Sequence, residues 1–256
     1  MRWRIPLVAV FASFVALSCD GNPPTATPET APDAAIFAGQ PVITLDNGMR
    51  MVDLGVLQGE NPTTLSTAYG MNRQGNVVGV SGSYAFLWER RAGFKELNVG
   101  WAEAVDINER RHVVGDRDFG CPDLAMGFIW RRGMYRDLGT ILGSDPALCQ
   151  AGSAARAVNN RGQVVGWSEV EPFDPNVWHQ HGFLWQDGAM TDLGSLGMWS
   201  EAWGINESRQ IVGYTDSDDG AQACIWEAGD LEPRPIGWLE QGWSIAVAIN
   251  NWGVVA

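Results

Sequence analysis

The chain is short of positive charge: Lys and Arg number 17 against 30 Asp and Glu, for a formal net charge of −13 at pH 7. That balance repels phosphate backbones and anionic bilayers, so neither nucleic-acid binding nor direct membrane adhesion is expected. Cysteine is scarce, at 4 residues, and histidine scarcer, at 3, and no Cys/His spacing suits a zinc site. The sequence also lacks a Gly-x-Ser-x-Gly elbow, a phosphate-binding loop and a dinucleotide fingerprint. Helical spacing of apolar residues is absent. Long apolar runs are absent too, apart from Ile5 to Leu17, which is too short to span a bilayer.

That one run follows Arg2 and Arg4 and ends at Ala16-Leu17-Ser18-Cys19, so residues 1–19 read as an export signal. A small residue before cysteine resembles the lipobox of bacterial lipoproteins, with Ala16 where the usual Leu stands. The resemblance implies diacylation of Cys19, and hence a lipid anchor as the only membrane contact. An ordinary cleaved signal is the alternative, and either places the mature chain outside the cytoplasm, periplasmic or at the cell surface. Residues 20–41, rich in Pro, Thr and Ala, read as a disordered tether, and 42–256 as the folded part.

What the folded part has in abundance is repetition. Ala-x-x-(Met/Ile/Val)-Asn occurs at Ala68–Asn72, Ala104–Asn108, Ala155–Asn159, Ala202–Asn206 and Ala246–Asn250. Each asparagine is followed by Val77-Val78-Gly79, Val113-Val114-Gly115, Val164-Val165-Gly166, Ile211-Val212-Gly213 or Val254-Val255-Ala256. Next come apolar runs ending in Trp88, Trp130, Trp185 and Trp226, and Asp-Leu-Gly stands at Asp53, Asp137 and Asp192. The asparagines should open tight turns, where Asn and Gly tolerate left-handed backbone. The Val-Val-Gly and Phe-Leu-Trp runs suit short buried strands, with the Gly leaving room for a close neighbour.

Four short strands per repeat predict an all-β fold, a β-propeller-like array of about five four-stranded antiparallel blades. Residues 42–55 look like the last two strands of a unit, and the chain ends inside the second strand of another. The ends could pair to close a ring, or the chain could be part of a larger propeller. The pattern, clearest at residues 182–197 and 202–213, resembles the HAF repeat of bacterial extracellular repeat proteins. Cys224 departs from it in place of Phe, and Ala256 in place of Gly. The resemblance implies export and repeat architecture and supplies no catalytic residues.

Several candidates for chemistry stand out. Cys121 and Cys149 fall in the two longest insertions and could pair in an oxidising compartment. Cys224 sits in a core slot. Trp101, Trp199, Trp238 and Trp243 all precede an Ala-x-x-x-Asn start, where they could stack on a ligand or fill the core between blades. Asp216, Asp218 and Asp219 form the best calcium candidate, with a solvated hairpin turn as the plainer account. His179 and His181 could offer two imidazoles to a metal, or simply lead into a strand. Glu169 and Glu171 are expected to be solvated, and Asp53, Asp137 and Asp192 to accept backbone hydrogen bonds. The expectation is therefore an exported, non-enzymatic binding or scaffold protein whose ligand is a protein or a glycan, with no cofactor beyond possible calcium. A glycan hydrolase or lyase and a purely structural repeat protein are the alternatives. The enzyme reading needs carboxylates converging at one end of the central channel, which sequence does not place.

Overall fold

The computed structural model describes residues 42–44, 50–57, 65–122, 124–143, 149–171, 179–217, 220–237 and 243–256, with 42–44, 50 and 51 as backbone. Residues 1–41, including the signal, Cys19 and the tether, lie outside that set, as do Trp238, Asp218 and Asp219. The described residues form strands and no helix.

Two short strands come first, β1 (Val42–Thr44) and β2 (Arg50–Val52), paired antiparallel. Four complete four-stranded units follow. Unit 1 holds β3 (Ser66–Met71), β4 (Val77–Ser81), β5 (Tyr84–Glu89) and the first part of β6 (Gly93–Ile107). Unit 2 takes the rest of β6, then β7 (Val113–Asp118), β8 (Ala125–Arg131) and β9 (Met134–Asp137). Unit 3 is β10 (Ser153–Val158), β11 (Val164–Glu169), β12 (Gln180–Gln186) and β13 (Ala189–Asp192). Unit 4 is β14 (Ser200–Ile205), β15 (Ile211–Thr215), β16 (Gln222–Trp226) and β17 (Arg234–Pro235). A fifth innermost segment, 246–256, folds back through the Ile249–Val255 bridge. Among the described residues no strand pairing joins β1 or β2 to this segment, so the ends do not make one sheet.

Units 1 and 2 share a seven-stranded sheet because their connection is so short. Left-handed Asn98 and Gly100 turn the chain between Leu97 and Trp101, and β6 runs on from one unit into the next.

Packing follows the two-residue period of a strand. Val164, Phe183 and Trp185 face back toward Val114, Ile129 and Leu138 of unit 2. Their neighbours Val165 and Leu184, with Leu193, face forward onto Ile211, Cys224 and Trp226 of unit 4. Units 1 and 2 meet in the same way, and unit 4 does so with Ala246 and Ile249. Leu54 and Leu57 cover Phe86 and Trp88 on the open side of unit 1, so residues 50–57 stand where a preceding unit would end. The tryptophans of the Phe-Leu-Trp slot are thus core, as their spacing implies.

The glycine of Val-Val-Gly is required by a close approach. A methyl group on Gly79, Gly115, Gly166 or Gly213 would overlap the carbonyl oxygen of Thr67, Glu103, Ala154 or Glu201. Opposite each glycine the innermost strand carries a β-bulge, between Ala68 and Gly70, Ala104 and Asp106, Ala155 and Ala157, and Ala202 and Gly204. The residue squeezed out of the ladder is Tyr69, Val105, Arg156 or Trp203.

The asparagines open tight turns, and the left-handed backbone falls farther along each turn. None of Asn72, Asn108, Asn159, Asn206 or Asn250 has positive φ; the left-handed residues are Gly75, Arg111, Gly162, Arg209 and Gly253, three positions on. Each asparagine instead caps its own turn: Asn159 Oδ1 accepts the N–H groups of Arg161 and Gln163, both at 3.1 Å. Its side-chain amide reaches out to the next repeat, as the same group does in the other units.

Candidate functional site

Antiparallel alternation puts the first-to-second and third-to-fourth strand turns at one end of the units, and the other connections at the opposite end. The first end is tight and regular. The second carries the insertions, the disulfide and the exposed Trp101, Trp199 and Trp243, and is called the loop face, whereas exposed Trp252 lies in a turn of the first end.

The bulges aim side chains inward, as bulges beside binding sites do. Tyr69, Val105, Arg156, Trp203 and Val247 each follow the signature alanine, and all five line one central cavity of about 610 Å³. Much of the wall is apolar, from Val105, Ala157, Ile205, Val247, Ala248 and Ile249, while Glu103, Asp106 and Arg156 add charge.

One guanidinium serves several carboxylates here. Arg156 Nε donates to Glu201 Oε1 at 2.7 Å, and its Nη1 lies 3.7 Å from Asp116 Oδ1. The same guanidinium covers the Trp203 ring, 5.2 Å from its centroid. Burial alone would lower the Arg156 pKa, but Glu201 and Asp116 hold it above its ordinary value. Burial pushes Asp116 up to about 6; Arg156 opposes this, while Glu103 and Glu201 add to it. Asp106 also rises to about 6 through burial, although its oxygens accept the N–H groups of Ile107 and Val158, each at 2.8 Å. Burial, then Glu201, raises the Tyr214 phenol, and burial, then Glu103, raises Tyr69.

Glu103 and Asp116 also border the loop face. With Trp101 and Asp118 they line a depression of about 270 Å³. Asp116 and Asp118 continue into another of about 570 Å³ beside Cys121.

The structure separates the sequence candidates. Trp101, Trp199 and Trp243 are 62%, 45% and 82% exposed, so they do not fill the core between units. Trp88, Trp130, Trp185 and Trp226 do. Cys121 and Cys149 are joined by a disulfide with a sequence separation of 28, tying the second-to-third-strand loop of unit 2 to the connection into unit 3. Cys224 is a buried free thiol whose pKa burial raises.

Asp216 is committed to structure. It accepts Ser195 Oγ at 3.1 Å, Met198 N at 3.0 Å and Trp199 N at 2.7 Å, and so holds the connection that carries Trp199. Among the described residues no group of three or more His, Cys, Asp or Glu is placed to hold a metal. His179 instead meets Glu171 at 2.8 Å, and His181 meets Asp192 at 2.9 Å. Asp53 and Asp192 accept the N–H of the glycine two residues on, whereas Asp137 holds Arg117 in a two-pronged pair. Glu169 corrects an expectation: it is buried at the end of β11 and accepts Gly152 N at 2.6 Å.

Sequence reasoning missed Tyr69, Glu103, Asp106, Asp116, Arg156, Glu201 and Trp203. One signal was available: the position after the signature alanine varies from Tyr to Val, Arg and Trp while the alanine before it and the asparagine three positions after it do not change.

No family model matches the chain, and no curated protein does. Among solved structures, TolB from Acinetobacter baumannii aligns at a TM-score of 0.46 and 15% identity, over 78% of this chain and 48% of that one. The chain thus spans about half of that protein's length. A gluconolactonase from Xanthomonas campestris aligns at 0.45 and 12% identity, over 79% of this chain and 70% of that one. Likenesses this distant carry no residue role or activity to the present chain.

Proposed function

We propose that the chain is an exported, non-enzymatic binding module of the bacterial cell envelope, a HAF-repeat protein anchored through Cys19, that engages a glycan or a protein at its loop face. The observation that carries this reading is the exposure of Trp101, Trp199 and Trp243 at equivalent connections on that face. Large apolar rings left in water are costly without a partner, and Trp is enriched where interfaces form. Trp101 lies beside Glu103, Asp116 and Asp118, which pairs a stacking surface with acceptors for hydroxyl or amide groups. The test is an array of glycans and envelope fragments probed with the chain and with a Trp101→Ala/Trp199→Ala/Trp243→Ala variant. Saturable binding that the variant loses, without turnover, supports the reading; unaltered binding by the variant removes it.

A glycan-active enzyme is the second reading. Its support is Glu103 and Asp106 in the wall of the central cavity, with Asp116 and Glu201 held on Arg156 beside them, and Asp106 and Asp116 raised into the range of a general acid. Release of reducing ends from any arrayed glycan, abolished by Asp116→Asn, would favour it over the first.

A further inference from the structure

We propose that the central cavity is a separate binding site for a small organic cation, an ammonium group on an apolar or aromatic body. It stands on the cavity alone and not on the loop-face reading. About 610 Å³ falls within the range of small-molecule sites.

Charge selects the class of ligand. Glu103 and Asp106 lie in the cavity wall with Arg156, whose guanidinium is already engaged by Glu201 and, farther off, Asp116. Arg156 is close to Glu201 and farther from Asp116, so the carboxylates exceed the cation available to them. An anionic ligand would have to displace these carboxylates from Arg156. A metal ion finds no set of three suitable ligands among the described residues. An ammonium group supplies the missing charge and can donate to Glu103 in the wall without moving Arg156.

The rest of the wall selects the body. Val105, Ile205, Val247 and Ala248 give it an apolar lining. The Trp203 ring, lying under the Arg156 guanidinium in the same wall, adds an aromatic surface to that lining.

The full chain in detergent is titrated by calorimetry at pH 7.5 with benzylamine, benzyl alcohol and benzoate. The site predicts saturable binding of benzylamine, at least about tenfold tighter than benzyl alcohol, and none of benzoate. Glu103→Gln should weaken benzylamine about tenfold at an unchanged melting temperature. Val247→Phe, which narrows the cavity and leaves every charge in place, should weaken binding at least about tenfold; it keeps the test open should Glu103→Gln fail to fold. Equal affinity for the amine and the alcohol, no saturation by benzylamine, or full binding by folded Val247→Phe would each overturn the proposal.

Discussion

The side-chain amide of Asn108 donates to the main-chain carbonyl of Asn159, 51 residues away, at 2.8 Å. The same bond links Asn72 to Asn108 at 3.0 Å, Asn159 to Asn206 at 3.2 Å and Asn206 to Asn250 at 3.1 Å. A second rung runs beside it, from Arg73 N to Glu109, Glu109 N to Asn160, Asn160 N to Glu207 and Glu207 N to Asn251. The repeating asparagine is therefore a cap on its own turn and a bolt to the next unit.

Asn159→Ala should consequently be severe for a turn residue. It removes two acceptor bonds within the turn, the donor bond to Asn206 and one to Gln163 at 2.7 Å, all in a buried site. With buried partners left unpaired, the loss should be about 2–4 kcal/mol. Urea unfolding should show a lowered midpoint, and Asn160→Ala, whose site is less buried, a smaller change.

Gly166→Ala and Gly229→Ala separate two reasons for glycine. At Gly166 the added methyl meets the Ala154 carbonyl across the bulge, so the chain should lose more than about 3 kcal/mol or fail to fold. At Gly229, φ is +105° and nothing lies within 4 Å, so the loss should be about 1 kcal/mol from backbone strain alone. Thermal melts of the two variants make the comparison.

The central carboxylates set a pH dependence. Asp116 rises from the ordinary 3.8 to about 6 on folding, so between those values the folded chain holds a proton that the unfolded chain has released. Stability at this site is therefore greatest at low pH and is lost as pH rises from about 4 to about 6, by roughly 2 kcal/mol. Asp116→Asn should be the more stable chain by a margin that grows through that window and levels off above it. Urea midpoints measured from pH 4 to pH 7.5 give the comparison.

Removing the Cys121–Cys149 bridge, with its sequence separation of 28, should cost about 3–4 kcal/mol on the chain-entropy account. The Cys121→Ser/Cys149→Ser variant should melt lower than the oxidised chain, and a reducing agent should bring the parent down to match it.

Two tryptophans of one size should behave oppositely. Trp226 is fully buried and donates from Nε1 to the Leu193 carbonyl at 2.7 Å, so Trp226→Ala should cost about 3–5 kcal/mol. Trp243→Ala should change stability by less than about 0.5 kcal/mol, since its ring lies in water. Denaturant midpoints measure both.

What was legible in the sequence is what depends on nearest neighbours. Period-two alternation marks Val164 and Val165 for opposite faces, and the Phe-Leu-Trp slot marks Trp185 and Trp226 as core. The asparagine bolts were not legible, because each joins residues 36 to 51 positions apart through a side chain that also suits an ordinary turn. The cavity was hidden for a related reason. Arg156 and Trp203 look like surface positions of a strand until the bulge turns them toward the other units, and nothing in a one-dimensional pattern brings Asp116 beside Glu201.

The central claim, that bulged residues of separate units share one cavity, is tested most directly by paired cysteines and a short bismaleimide. Val105→Cys with Val247→Cys should cross-link efficiently within one chain, since both line the cavity. Val105→Cys with Met134→Cys should not, because Met134 is exposed on the outermost strand of its unit. Failure of the first pair, or equal yield from the second, would contradict the architecture.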